Sequence, residues 1–361
     1  MTNLELELNF KKTAKPFSRW RVFAFTFAIV FLLTIVQYLI PKNLNENFLN
    51  SNTSKNSILN NVYKRIENKT NIFKLNEPLS LVSSSFASSY DFDNSNAYVA
   101  IDYNTGNVLL EKNMSKKFSI ASLTKLMTAV VSLDLAKPND NILISKKASQ
   151  EEPTTIGVVA GQKMTVKELL NAALLTSAND AAEALRDGIN QKYGSNIFVD
   201  AMNKKAKFLK LNNTNFSNPQ GFDNPNNYSS AEDLAILTHY ALENYPLIRD
   251  IVKKDYQFIP ATNNHKQFDL YNWNGLLDVY PGVEGVKIGN TDNAGYTSIV
   301  LSERNNKKVL VVLLGAPGII KRDIWASEIL DASFEKLSQL PSAQITENDL
   351  RQKYSTWKYW N

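Results

Sequence analysis

Three short groups of residues in this 361-residue chain could do chemistry together. Ser122-Leu123-Thr124-Lys125 sets an amine three residues after a hydroxyl. Ser177-Ala178-Asn179 sets a carboxamide two residues after a hydroxyl, and Lys287-Ile288-Gly289 joins an amine to a glycine. A serine hydroxyl is a weak nucleophile until a base takes its proton. A lysine three positions further along a helix lies on the same face, one turn away. It serves as that base once burial and neighbouring cations bring its pKa toward neutrality. A helix beginning at Ser122 also offers unpaired backbone N–H groups to an oxyanion. Ser177 and Asn179 fall in a break between helix-like runs, from which they can face Ser122 across a cleft. A strand glycine at Gly289 lets a ligand backbone approach closely.

Composition removes the main competitors. The chain has no cysteine and two histidines, His239 and His265. There is thus no thiol nucleophile, no disulfide framework and no multi-histidine metal site. The chemistry expected needs no metal and no cofactor. The net charge of +5 is uneven. Lys11, Lys12, Lys15, Arg19 and Arg21 against Glu5 and Glu7 give the first 21 residues +3, leaving +2 for the other 340. A body that is no polycation is not expected to bind nucleic acid.

Elements that must carry these groups can be read along the chain. Residues 1–21 are expected to be cytoplasmic. Residues 22–40, VFAFTFAIVFLLTIVQYLI, hold no charge, glycine or proline. As a helix they would span roughly 28 Å, about one hydrocarbon core. The basic cluster before them and Trp20 and Tyr38 near the ends predict an uncleaved single-pass anchor in the cell membrane, with the rest exported. Between Asn43 and Asn76, eleven of thirty-four residues are Asn. This composition predicts a stalk over 41–90, with a short helix near 59–66. Residues 97–103 and 107–112 read as a hairpin. Helices are expected from 122 to about 136, over 163–176 with a Thr165/Glu168 capping box, over 180–186 with Gly188 as stop, over 197–211 and over 231–243. A second hairpin, 295–304 with 307–314, precedes a closing helix over 319–337. Strands at both ends with helices between predict an α+β domain over 91–340, its sheet built from distant segments, and a tail over 341–361.

Longer strings around the three groups carry a resemblance. SIASLTKLMTAVV (119–131), LLTSANDAAEAL (174–185), NPQGFDNPNNYSSAEDLAIL (218–237), NWNGLL (272–277) and GVEGVKIGNTDNAGY (282–296) look like D-alanyl-D-alanine carboxypeptidases, low-molecular-weight penicillin-binding proteins with S-x-x-K, S-x-N and K-T-G boxes. The resemblance implies a β-lactamase/transpeptidase-like fold: an antiparallel sheet with helices on both faces, an all-helical lobe, and the active site between them. It implies Ser122 as acylated nucleophile, Lys125 as its base and Ser177 as proton relay. Asn179, Lys287, Gly289, Asn290 and Thr291 would meet the substrate, and the N–H groups of Ser122 and Asn290 would hold the oxyanion. The substrate would be a peptidoglycan stem peptide ending in D-Ala-D-Ala, and β-lactams would bind covalently.

The chain departs from the family pattern at two places. Ile288 stands where the K-T-G box has a hydroxyl that helps hold the substrate carboxylate. Trp273 stands where some members carry an arginine. Losing one bond to a charged group costs about 1.5–3 kcal/mol. An endopeptidase acting on cross-links, or a non-catalytic receptor on the same fold, therefore stays open. A β-lactamase is disfavoured, because Glu168 precedes the S-x-N box and reads as a cap. His239 is expected to be structural, His265 to be solvated in a polar loop, and Asp223 and Asp233 to serve loop and cap. Many relatives add a small β-rich domain, for which the tail after Leu340 is too short. Trp357, Tyr359 and Trp360 would touch a membrane or pack back on the domain.

Overall fold

The computed structural model describes residues 19–39, 60–67, 72–76 and 90–357. Met1–Ile58 and Leu59–Asn361 are two separate units. In the first, α1 is one helix over Arg19–Leu39. Among the described residues no helix is long and apolar enough to cross a membrane. The basic residues Lys11, Lys12 and Lys15, most of the stalk, and Tyr359 and Trp360 lie outside the described residues.

In the second unit, five antiparallel strands form one sheet in the order β2-β1-β9-β8-β7. They are β1 Ala97–Asp102, β2 Val108–Lys112, β7 Val283–Thr291, β8 Gly295–Arg304 and β9 Lys307–Ala316. The early hairpin thus pairs with the late one, as the two ends of the sequence predict. Side chains of a strand alternate between faces, and here both faces are covered. Val309, Val311 and Leu313 pack in one core with Ile329, Leu330 and Phe334 of α9, Ile319–Ser338. Leu310, Val312 and Leu314 pack in the other, with the helical lobe. That is why β9 reads as an unbroken apolar run.

The lobe contains α3 Thr124–Leu135, α4 Val166–Leu175, α5 Asn179–Tyr193, α6 Ile197–Phe208, α7 Ala231–Asn244 and α8 Pro246–Val252. The short strands β3 Asn141–Leu143 and β4 Lys163–Thr165 pair beside it, as do β5 Tyr256–Ile259 and β6 Phe268–Tyr271. The expected capping box at Thr165 and Glu168 is present. Residues 124 to 132 of α3 are all buried, so this helix is wrapped on every side. Lys125, on this helix, is completely buried.

Two local expectations change. Gly188 does not stop a helix: α5 runs through it to Tyr193, with Gly194 as its cap. A β-carbon at Gly188 would lie 2.6 Å from Ile142 Cδ1, so this glycine serves close packing. Within the segment read as stalk, residues 60–66 form helix α2, whose Val62 and Ile66 are buried in the lobe core. Phe73 stacks on His239 at 3.6 Å, giving that histidine the structural surroundings expected. The tail folds as α10, Glu347–Tyr354, and Trp357 is buried against it, the second of the two placements expected of it.

Candidate active site

Ser122 sits in a 3-10 turn, Ala121–Leu123, immediately before α3. It therefore precedes the helix that the sequence was expected to start there. Ala121 has φ +49°, a left-handed conformation that costs a non-glycine residue energy and persists only where packing enforces it. Two glycines enforce it. A β-carbon on Gly221 would lie 2.0 Å from the Ala121 carbonyl oxygen, and one on Gly289 would lie 2.8 Å from the Ser122 nitrogen. Gly289 belongs to β7, an edge strand of the sheet. Its bare α-carbon lets strand and turn meet and leaves the space beside Ser122 N–H unfilled.

Lys125 follows one helical turn later and is completely buried. Its Nζ lies 2.7 Å from each of three acceptors: Ser122 Oγ, Asn179 Oδ1 and the Gln220 carbonyl. Burial brings its pKa well below that of an ordinary lysine, and the charge on Lys287 lowers it further, against the pull of Asp180 and Glu151. Lys287 is itself buried and donates to the Ile288 carbonyl at 2.9 Å. Burial first, then the charge of Arg322, brings Lys287 down to about 7. Arg322 keeps its proton although burial opposes it, because Asp323 holds it through two bonds of 2.7 and 2.8 Å. Arg322, Lys287 and Lys125 thus form a series in which each cation weakens the next.

Asn179 opens α5. Its Nδ2 donates to the Pro153 carbonyl, and its backbone N–H donates to the Thr154 carbonyl at 2.8 Å. Its amide is thereby fixed with the oxygen toward Lys125. Ser177, two residues earlier, has φ +61° and is nearly buried. Its hydroxyl has no hydrogen-bond partner among the described residues.

Measured contacts therefore join Ser122, Lys125, Asn179 and Gly289. Asn290, the next residue on β7, is exposed. Thr291, the residue after it, donates its hydroxyl to Asp223 Oδ1 at 2.7 Å, while Asn293 N–H donates to Oδ2 at 3.0 Å. That clasp ties the β7–β8 turn to the loop holding Gln220 and Gly221. Ile288 is buried and alternates to the face of β7 opposite Lys287. His265 is not solvated: it is buried, its Nε2 is 3.4 Å from Glu168 Oε1, and Nδ1 lies 2.7 Å from the Lys266 carbonyl.

Sequence reasoning missed Gln220, Gly221, Asp180 and Arg322. The first two lie in the quoted string NPQGFD and Asp180 directly follows S-x-N, so a signal existed for those three. Nothing local marks Arg322. Asp180 accepts the N–H groups of Ile156, Gly157 and Val158 at 3.1, 2.9 and 3.1 Å through one oxygen, locking the loop that holds Asn179. Among the described residues no group of acidic and histidine side chains could hold a metal.

Residues 85–318 match the family model described as Peptidase_S11, D-alanyl-D-alanine carboxypeptidase. The chain is 35% identical over 248 residues to the D-alanyl-D-alanine carboxypeptidase DacF of Bacillus subtilis, covering 67% of this chain and 63% of that protein. It is 32% identical over 261 residues to DacA of Haemophilus influenzae, covering 68% and 64%. The match thus spans just under two thirds of the length of these relatives. The crystal structure of the Streptomyces K15 DD-transpeptidase superposes with a TM-score of 0.62 at 30% identity, over 66% of this chain and 97% of that one.

Proposed function

Since the chain belongs to the Peptidase_S11 family of D-alanyl-D-alanine carboxypeptidases, we propose that it removes the terminal D-Ala from peptidoglycan stem peptides through an acyl-enzyme on Ser122. The carrying observation is the set of three contacts at Lys125 Nζ. A neutral amine has two N–H donors and one lone pair. Asn179 Oδ1 and the Gln220 carbonyl take the two donors, which aims the lone pair at Ser122 Oγ. Lys125 accepts the Ser122 proton as Oγ attacks the penultimate carbonyl. The N–H groups of Ser122 and Asn290 hold the oxyanion. The leaving D-Ala nitrogen receives a proton through the Ser177 hydroxyl, and water then hydrolyses the ester. Lys287, backed by Arg322, supplies the positive field for the substrate carboxylate.

Release of D-Ala from a peptide ending in D-Ala-D-Ala, together with a mass increase on Ser122 after penicillin treatment, tests this reading. Loss of both in Ser122→Ala is expected. Turnover without an adduct on Ser122 would refute it.

A second reading, endopeptidase action on cross-links, is favoured by Ile288, which offers no hydroxyl to a free carboxylate. Faster cleavage of a cross-linked dimer than of the free pentapeptide would select it.

The cell-membrane anchor rests on the uncharged run 22–40 and the basic residues before it. Phe23, Phe27, Phe31 and Leu32 are exposed along α1, as a lipid-facing helix requires. Resistance of the full chain to extraction from membranes by alkaline carbonate is the expected result.

A further inference from the structure

Asn179 and Glu183 stand four residues apart on α5, one turn along the same face. The first bonds Lys125 directly. The second carries a carboxylate that the mechanism above leaves unused, and it is fully buried. A buried acid persists where its oxygens find partners. Glu183 Oε1 meets Lys147 Nζ at 2.7 Å and also Arg186 Nη2. Its Oε2 accepts the Gln220 Nε2–H at 2.6 Å. Lys147 is exposed and Arg186 half-buried, so both cations keep part of their hydration.

Gln220 is thereby held at two ends. Its buried side chain bonds Glu183, and its carbonyl takes one donor of Lys125 at 2.7 Å. The main chain on either side is tied as well. Thr128 Oγ1 donates to the Pro219 carbonyl at 2.7 Å, and Gly221 N–H donates to Asn218 Oδ1 at 2.7 Å. Glu183 is the one hydrogen-bond partner of the Gln220 amide among the described residues. A buried amide left without an acceptor is costly. With Glu183 removed, Gln220 must turn toward another acceptor or toward water and carry its carbonyl along. Lys125 then loses the acceptor that fixes one of its N–H groups, and its lone pair is no longer aimed at Ser122 Oγ.

We propose that Glu183 is a positioning residue for the reaction: through the Gln220 side chain it fixes the carbonyl that orients Lys125. The inference rests on the reading of Lys125 as the base for Ser122, and it adds what holds that base in place. The hydrogen bond to Gln220 sets the rate, while the ion pairs with Lys147 and Arg186 serve stability. One face of α5 thus supports the base twice, directly through Asn179 and through Gln220 by way of Glu183.

The test follows acylation of Ser122 in the full chain at several penicillin concentrations, which separates binding before acylation from the acylation step. Glu183→Ala should slow the acylation step about tenfold and leave the binding constant unchanged. Glu183→Gln keeps an acceptor for Gln220 and should recover most of the rate. Both variants should have a lower thermal midpoint, because both lose the charge that Lys147 and Arg186 pair with. Gln220→Met keeps the carbonyl, removes the amide and should match Glu183→Ala in rate. The double variant of Glu183→Ala with Gln220→Met should be no slower than either single one. A merely structural role would instead move rate and midpoint together. Wild-type rates in Glu183→Ala, a Glu183→Gln as slow as the alanine variant, or additive losses in the double variant would overturn the proposal. Should Glu183→Ala not fold, Gln220→Met decides: an unchanged acylation rate there overturns it equally. A wild-type protein whose Ser122 takes no penicillin refutes the reading of the base, and the positioning role falls with it. Wild-type acylation that Glu183→Ala leaves untouched removes the positioning role and keeps the base.

Discussion

Gly289 of β7 and Ser122 meet backbone to backbone, so closely that a β-carbon on the glycine would lie 2.8 Å from the serine nitrogen and 3.0 Å from Thr297 Oγ1. The glycine of the third box is thus a packing requirement of the first. Gly289→Ala should push the Ser122 turn off its position. A displacement near 1 Å at a reacting group costs about 10²-fold in rate. Penicillin acylation followed by mass spectrometry should slow by about that factor, and the overpacking should lower the thermal midpoint as well. An unchanged acylation rate would show that the contact is slack.

Asn179 Oδ1 lies 2.7 Å from Lys125 Nζ. In Asn179→Asp a carboxylate takes its place and favours the ammonium. The acid limb of the kcat/KM profile should move to higher pH by about one unit or more. Asn179→Ala should lower the rate without that displacement, because it removes the orienting group and adds no charge.

Lys287 has a pKa brought down to about 7 by burial and Arg322. Unfolded, a lysine titrates near ~10.4. Between these values the unfolded chain binds more protons than the folded one, so stability rises with pH across that window. The destabilisation is full below the folded value and vanishes above the unfolded one. Denaturation with urea at several pH values between the two should show this slope. Lys287→Met should flatten it and raise stability at neutral pH.

Gly188 packs under Ile142, and a methyl group there would come within 2.7 Å of two of its side-chain carbons. Gly188→Ala would normally strengthen a helix, but overpacking should dominate and destabilise by about 1–3 kcal/mol. Adding Ile142→Val should recover part of the loss, because it removes Cδ1. A rise in the midpoint of the single variant would contradict this account.

Much of the architecture was legible because its signals are local. The hairpins at either end, the capping box at Thr165 and the helix over Ala231–Asn244 each follow from neighbours in the chain. Gly188 and His265 misled for the same reason: a glycine looks like a stop and a histidine among polar residues looks wet, unless it is known what packs there. Strands β5 and β6 are short and lack strong alternation, so they escaped notice.

By itself, the sequence determined the family, the order of the three boxes and the atoms available: two hydroxyls, two amines and a carboxamide, without cysteine or a histidine cluster. Tertiary structure decided what those atoms do. Lys125 loses its hold on a proton because α3 is buried on all sides and Lys287 stands near, and it is aimed because Gln220, 95 positions away, turns a carbonyl toward it. Thr291 is bonded to Asp223, 68 positions away, where two loops meet. Desolvation and charge act through space, between segments that only folding brings together, and spacing along a chain does not record them.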